Sequence, residues 1–385
     1  MKISAVISEF NPMHEGHVHL INCARGNGAT HIVSFMSGNF VQRGDCAIYP
    51  KWDRAAQAIM NGVDLVIEIP DSKALSSASN YANAGVYIAQ KCGCIDELFF
   101  GSECGDIEKL KKIAEIISSE NFSKLFEEEY AKGVSYPSAR MKAFEKAGER
   151  ELAIILENPN DILAVEYIKS LIKNQSKITP VCFQRIGADH DSLTETSPIL
   201  SAAMIREKIF NGEIDPKFSV HSLKNVERAI LYKLREMTVD DLKNLPDVDE
   251  GLENRFKECI KKYNSVSDII EGVKTKRYTY SRLRRIVLCA LLSIKRGDVY
   301  SPVSFLKVLA FNERGREILK IMKDTASLPI IQKHSDIYKT GNEKVIRDYE
   351  KEAVNSDIYA LMSEDVESCS RQQRENAIFV KNIDK

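Results

Sequence analysis

The chain has 385 residues, with 54 Lys and Arg against 55 Asp and Glu, at 44% hydrophobic and 28% charged. That length suits two domains, the apolar content argues against disorder, and no apolar run approaches the roughly 20 residues of a membrane span. A net charge of −1 disfavours a nucleic-acid partner only until it is divided: 22 basic and 27 acidic residues run through Phe210, and 32 and 28 follow.

The opening MKISAVISEFNP reads as a strand and turn, without the apolar stretch and cleavage site of a secretory signal. Ser4–Ser8, His31–Met36, Asp64–Ile69 and Glu97–Phe100 read as buried strands, with helices near Gly16–Arg25, Lys51–Asn61 and Tyr81–Lys91. This alternation predicts an α/β fold, a Rossmann-like parallel sheet covered on both faces. Ligands in such sheets bind beyond the carboxyl ends of the strands, so the loops after Ser8, Met36, Ile69 and Phe100 are the places to search. Asp106–Asn174 reads as mainly helical, Ile178–Ile186 as a further strand and Ser201–Phe210 as a helix. Asn211–Pro216 is a stop signal. The expected division is therefore a nucleotide-binding domain over 1–215 and a helical, basic domain over 216–385. Within the latter, Gly272–Lys323 holds 13 Lys and Arg against three acids, a field suited to a polyanion or a solvated helix surface.

Nine cysteines, an odd number without a CxxC pair, indicate neither a disulfide framework nor a structural zinc site. A reduced, cytoplasmic protein with no metal centre of its own is expected. Cys92-Gly93-Cys94 reads as a glycine-capped helix end, and Asp189-His190-Asp191 as a polar loop.

Directly after the first strand comes Glu9-Phe10-Asn11-Pro12-Met13-His14-Glu15-Gly16-His17. Two histidines around a glycine at a helix start suit phosphate, because helix N-terminal amides attract anions and imidazole N–H groups donate to developing charge. The bland alternative is a pair of capping or core histidines. Gly16, without a side chain, would let a flat base approach the backbone.

The stretch resembles the HxGH signature of the nucleotidyltransferase and class I aminoacyl-tRNA synthetase superfamily, whose members attack the α-phosphate of a nucleoside triphosphate. Leu200-Ser201-Ala202-Ala203-Met204-Ile205-Arg206 is similar to that superfamily's second signature, which implies roles for Ser201 and, toward the leaving phosphates, Arg206. Gly38–Gly44, Lys51–Ala55, Gly62–Pro70, Phe100–Glu103, Lys276–Thr279 and Phe311–Arg316 resemble successive blocks of the tRNA(Met) cytidine acetate ligase family. The resemblance implies an enzyme that activates acetate with ATP as acetyl-adenylate. It then acetylates N4 of the wobble cytidine of elongator tRNA(Met), releasing AMP and diphosphate, with Mg²⁺ accompanying ATP.

The resemblance carries ATP binding to Ile7, Ser8, Glu9, Phe10, Asn11, Pro12, Met13, His14, Glu15, Gly16, His17, Val18, His19 and Leu20, and to Gly101, Asn160, Arg185 and Ser201. His14, His17 and Arg206 are the catalytic candidates, as electrostatic stabilisers. Asn160 is also open to a pure helix-capping role, and Asp161 stands where the family more often has Asn. Arg43, Lys51 and Arg54 are unassigned cations near the ligand edge. Arginines interleaved with tyrosines suit phosphate contacts and base stacking, so Lys276, Arg277, Tyr278, Arg282, Arg284 and Arg285 are the tRNA-binding candidates. Gly133–Pro137 resembles another family block. A small-molecule adenylyltransferase and a non-catalytic ATP-dependent RNA-binding protein remain the alternatives.

Overall fold

The structure is a computed structural model that describes residues 1–185, 200–249 and 251–381. Ile186, the last residue of the expected fifth strand, and Asp189-His190-Asp191 lie outside the described residues.

The first four apolar runs form strands β1 (Ile3–Ser8), β2 (His31–Ser37), β3 (Leu65–Ile69) and β4 (Glu97–Ser102). Most of their side chains are buried on both faces, with Val33, Phe35, Leu65, Ile67 and Phe99 all fully buried. That is why these runs are continuous in hydrophobicity rather than alternating. β5 (Thr179–Gln184) extends the parallel set beside β4.

Helices α1 (Glu15–Gly26), α2 (Lys51–Met60) and α3 (Ala78–Cys92) cross between the strands. α3 ends at Gly93, which takes the left-handed conformation expected of a glycine cap. Helices α4 (Glu120–Tyr130), α5 (Tyr136–Lys146) and α6 (Pro159–Lys173) fill the expected helical stretch. α7 (Ala202–Phe210) follows, its first turn capped by the Ser201 hydroxyl.

Beyond Pro216 the helices include α8 (Glu227–Glu236), α9 (Tyr280–Leu291), α10 (Glu313–Thr325) and α11 (Glu343–Ala360). Three strands interrupt them, contrary to the expectation of helices to the end: β6 (Leu306–Phe311), β7 (Ile330–Ile331) and β8 (Ile378–Phe379). β6 inserts antiparallel beside β3, giving the order β8-β6-β3-β2-β1-β4-β5 with β7 also on β6. The sheet therefore draws strands from both sides of the expected boundary at 215/216. The Phe311–Arg316 block makes that junction: the Asn312 carboxamide caps α10 at Gly315 N–H (2.9 Å) and donates to Asp64 (3.1 Å). Residues between Val226 and Val299 pack a separate apolar core, including Phe256, Leu283, Ile286 and Leu288, which reaches the sheet half through Phe40, Cys46 and Leu75.

Candidate active site

Chain order reverses at β1, with β2 and β3 on one side and β4 and β5 on the other. A crevice opens at such a switch point beyond the strand ends, and the HxGH segment leaves β1 there.

His14 is the N-cap of α1. Gly16 N–H donates to its Nδ1 (3.0 Å), while His14 N–H donates to Nδ1 of His17 (3.2 Å), a reciprocal capping box built from imidazoles. The rings lie 3.9 Å apart, and Phe10 stands edge-on to His17 at 5.0 Å. Because both Nδ1 atoms accept, each neutral ring carries its proton on Nε2, the donor such a pair offers to an anion. A phosphate contact would fall to the other nitrogen, so the two readings of the motif are compatible. The approach over Gly16 differs from expectation: the direction a side chain there would take is filled by the His14 ring, 2.9 Å away.

Other members of the 7–20 segment serve the fold. Phe10 and Met13 are core residues, Val18 and Leu20 pack against that core, and the Asn11 carboxamide accepts from Ile48 N–H (2.8 Å). His19 turns along α1 to Cys23. Any contact of Phe10 and Met13 with a nucleotide falls to their backbone.

Arg206 reaches this segment from α7 and donates to the Asn11 carbonyl (2.6 Å). Burial pushes its guanidinium down, opposed by the nearby carboxylates of Asp45 and Glu9. Glu9 is itself pushed up by burial, against the Gln42 N–H and the charges of Arg43, Arg206 and Arg54.

On the other wall three distant residues converge. The Arg185 side chain lies over Gly101, where a Cβ would sit 2.9 Å from Arg185 Cγ, and Arg185 donates to Asn160 Oδ1 (3.4 Å). Asn160 donates to Glu103 (2.5 Å), whose other oxygen accepts Asp161 N–H (2.9 Å). Asn160 is therefore not the cap of α6; that position belongs to Asn158. Asp161 is fully buried and accepts from Ser102 and Cys104, a framework role. Glu103, which orients both residues, was passed over in the sequence. Its signal was its place in the Phe100–Glu103 block, but its partner Asn160 is 57 residues away.

Two of the three unassigned cations are structural. Lys51 is fully buried and pairs with Glu68 at 2.5 Å. Arg54, equally buried, donates to the carbonyls of Glu9, Ser37, Gly38 and Tyr49, tying the ends of β1 and β2 together. Among the described residues one trio could hold a metal ion, Glu68, Asp71 and Glu352. It begins on β3, two strands from β1, and already contains the Lys51 ammonium, so it is not a magnesium site for the crevice.

The expected tRNA face is partly internal. Tyr278 and Arg285 are each only 7% exposed. Arg285 donates to the Gln42 carbonyl (3.2 Å) and pairs with Asp247 (3.1 Å), while Arg282 donates to the Asp247 carbonyl and lies over Tyr278. Buried side chains cannot stack on a base, which removes Tyr278 and Arg285 from the surface set. Lys276 and Arg284 are exposed, and Tyr280, 44% exposed, offers the aromatic face instead.

The HIGH Nucleotidyl Transferase family matches residues 1–375. The tRNA(Met) cytidine acetate ligase of Acetivibrio thermocellus is 34% identical, over 94% of this chain and 95% of its own. That of Caldanaerobacter subterraneus is 38% identical over the same shares. Among solved structures, apo TmcAL of Thermotoga maritima superposes with a TM-score of 0.92 at 29% identity, covering 99% of this chain and all of that one. A second form of that protein, bound with alpha-thio ATP, superposes at 0.89 and 30% identity over the same shares.

Proposed function

The chain belongs to the tRNA(Met) cytidine acetate ligase family and is a ligase that uses ATP; we propose that it acetylates N4 of the wobble cytidine of elongator tRNA(Met) through acetyl-adenylate. The observation that carries the two-substrate reading is a hairpin, Phe40–Val41 against Asp45–Cys46. Its Gln42 N–H holds Glu9 (2.8 Å) in the nucleotide crevice, and its Gln42 carbonyl holds Arg285 on the basic helix α9. One short element thus links the crevice segment to the basic helix.

In the first step an acetate oxygen attacks the α-phosphorus of ATP and diphosphate leaves. His14 and His17 stabilise the charge that grows on the phosphate oxygens by donating from Nε2, and Arg206 and Arg43 supply positive potential beside them. Gly101, Asn160 and Arg185 hold the nucleoside end. Magnesium accompanying ATP would ride on its phosphates and help offset the charge on the leaving diphosphate. In the second step cytidine N4 attacks the acetyl carbonyl, AMP leaves with the P–O bond intact, and the N4 proton passes to solvent or base. Positioning of the two reactants accounts for most of the acceleration.

The alternatives explain less. A small-molecule adenylyltransferase needs no basic helical half, and a non-catalytic RNA binder does not account for a HIGH Nucleotidyl Transferase match through residue 375 or for relatives named as ligases over 94% of the chain. Labelled acetate, ATP and bulk tRNA containing elongator tRNA(Met) test the reading. We expect label in N4-acetylcytidine; ATP consumption with no label in RNA would sink it.

A further inference from the structure

Helices α4 and α5 carry an aromatic cluster in which Phe126 packs against the main core while Tyr130 and Tyr136 lie outside it. Phe126 stacks on Tyr130 (5.6 Å, 14° between planes), and Tyr136 closes on both at 4.9 and 6.4 Å. Tyr136 is 50% exposed. Two guanidiniums face the cluster: Arg140 lies over Tyr136 at 6.0 Å and Arg277 over Tyr130 at 5.6 Å. Arg140 is pinned by its bond to the Leu156 carbonyl (2.7 Å), so its plane is preset. Two acids of α4 are paired with lysines, Glu129 with Lys132 and Lys146 and Glu128 also with Lys146.

The cluster stands at a junction. Arg277 comes from the basic 272–323 stretch, and Glu166 of α6, the helix that brings Asn160 to the crevice, lies close enough to Tyr136 to act on its hydroxyl. The cluster is thus tied on one side to the basic stretch and on the other to α6. Packed aromatics flanked by guanidiniums offer what an unpaired base needs, a flat π-face and positive charge for the adjoining phosphate.

We propose that Phe126, Tyr130 and Tyr136, with Arg140 and Arg277, form a stacking platform for an unpaired base of the tRNA. The platform rests on the proposed function and extends the RNA surface beyond α9 onto the α4–α5 pair. It predicts that Tyr136→Ala weakens binding of bulk tRNA, followed by fluorescence anisotropy, about tenfold, the scale of one lost base–aromatic stack. Tyr136→Trp keeps a stacking face and should bind within twofold of the unsubstituted protein. Acetate-dependent ATP–diphosphate exchange, run without tRNA, should be unchanged in both.

Unweakened tRNA binding by Tyr136→Ala, alongside an unsubstituted protein that acetylates tRNA, overturns the platform and leaves the proposed function standing. So does equal weakening by Trp and Ala, or a parallel fall in exchange, either of which assigns Tyr136 a structural role. An unsubstituted protein that neither binds nor acetylates tRNA overturns both readings.

Discussion

His17 works through two nitrogens with separate consequences. Nδ1 accepts His14 N–H and closes the capping box, while the proton this leaves on Nε2 is the one proposed to meet phosphate. His17→Ala removes both. Loss of the cap should cost about 1 kcal/mol, read by thermal unfolding. Loss of the donor should lower acetate-dependent ATP–diphosphate exchange by about 100-fold, the scale of one removed oxyanion donor. Exchange near the unsubstituted rate would remove His17 from the phosphate cradle. Residue identity alone could not assign the other cations in this way. Arg43, Lys51 and Arg54 lie within a dozen positions of one another, yet Lys51 and Arg54 are buried against Glu68 and four carbonyls.

At the scale of elements, the 40–46 hairpin is what joins the nucleotide crevice to α9. Gly44 makes that docking possible: its φ is +79°, and a Cβ there would lie 2.7 Å from Arg285 N and Arg284 Cβ. Neither atom can retreat without moving α9. Gly44→Ala should therefore destabilise the protein by about 2–4 kcal/mol, combining left-handed strain with overpacking. Wild-type-like denaturation together with wild-type tRNA acetylation would show that the hairpin tolerates a looser seat.

The same scale decides what could be read in advance. β1 to β4 were legible because each is a continuous apolar run between helical periods. β6 was not, since LKVLAF sits within the most basic window of the chain and acquires its meaning only from pairing with β3, some 240 residues earlier. The HxGH segment is local and was legible from the strand and turn around it. Gly101, Asn160 and Arg185 meet only because β4, α6 and β5 are neighbours in space, so resemblance alone pointed to them. Tyr278 and Arg285 were read as surface because alternating arginine and tyrosine resembles a nucleic-acid face whether or not the side chains are exposed.

At the scale of the whole molecule, an early and a late segment of the chain meet in a buried charge cluster. Asp71, just after β3, donates its backbone N–H to Glu352 of α11 (3.0 Å). Glu68 with Lys51 and Lys307 complete the set, all at most 6% exposed. Burial, opposed by Lys51 and reinforced by Glu68, pushes Asp71 up to about 7, and burial with the Asp71 and Glu68 carboxylates raises Glu352. Both carboxyls bind protons more tightly folded than unfolded, so their stabilisation is full at acid pH and is lost as pH rises through 7. Lys307, pushed down to about 8 by burial, acts in the opposite sense and mainly above that window. One pKa unit is worth about 1.4 kcal/mol, so the fall from pH 5.5 to 7.5 should be on the order of 1–3 kcal/mol. Glu352→Gln keeps an acceptor for Asp71 N–H but removes the charge that opposes Asp71 ionisation. Its urea midpoint should therefore change less over the same interval, and at pH 7.5 it should exceed that of the unsubstituted protein. Parallel pH dependence in the two proteins would mean that the Glu352 charge does not set the titration of Asp71, and that the contact between the two segments rests on packing and the Asp71 N–H bond.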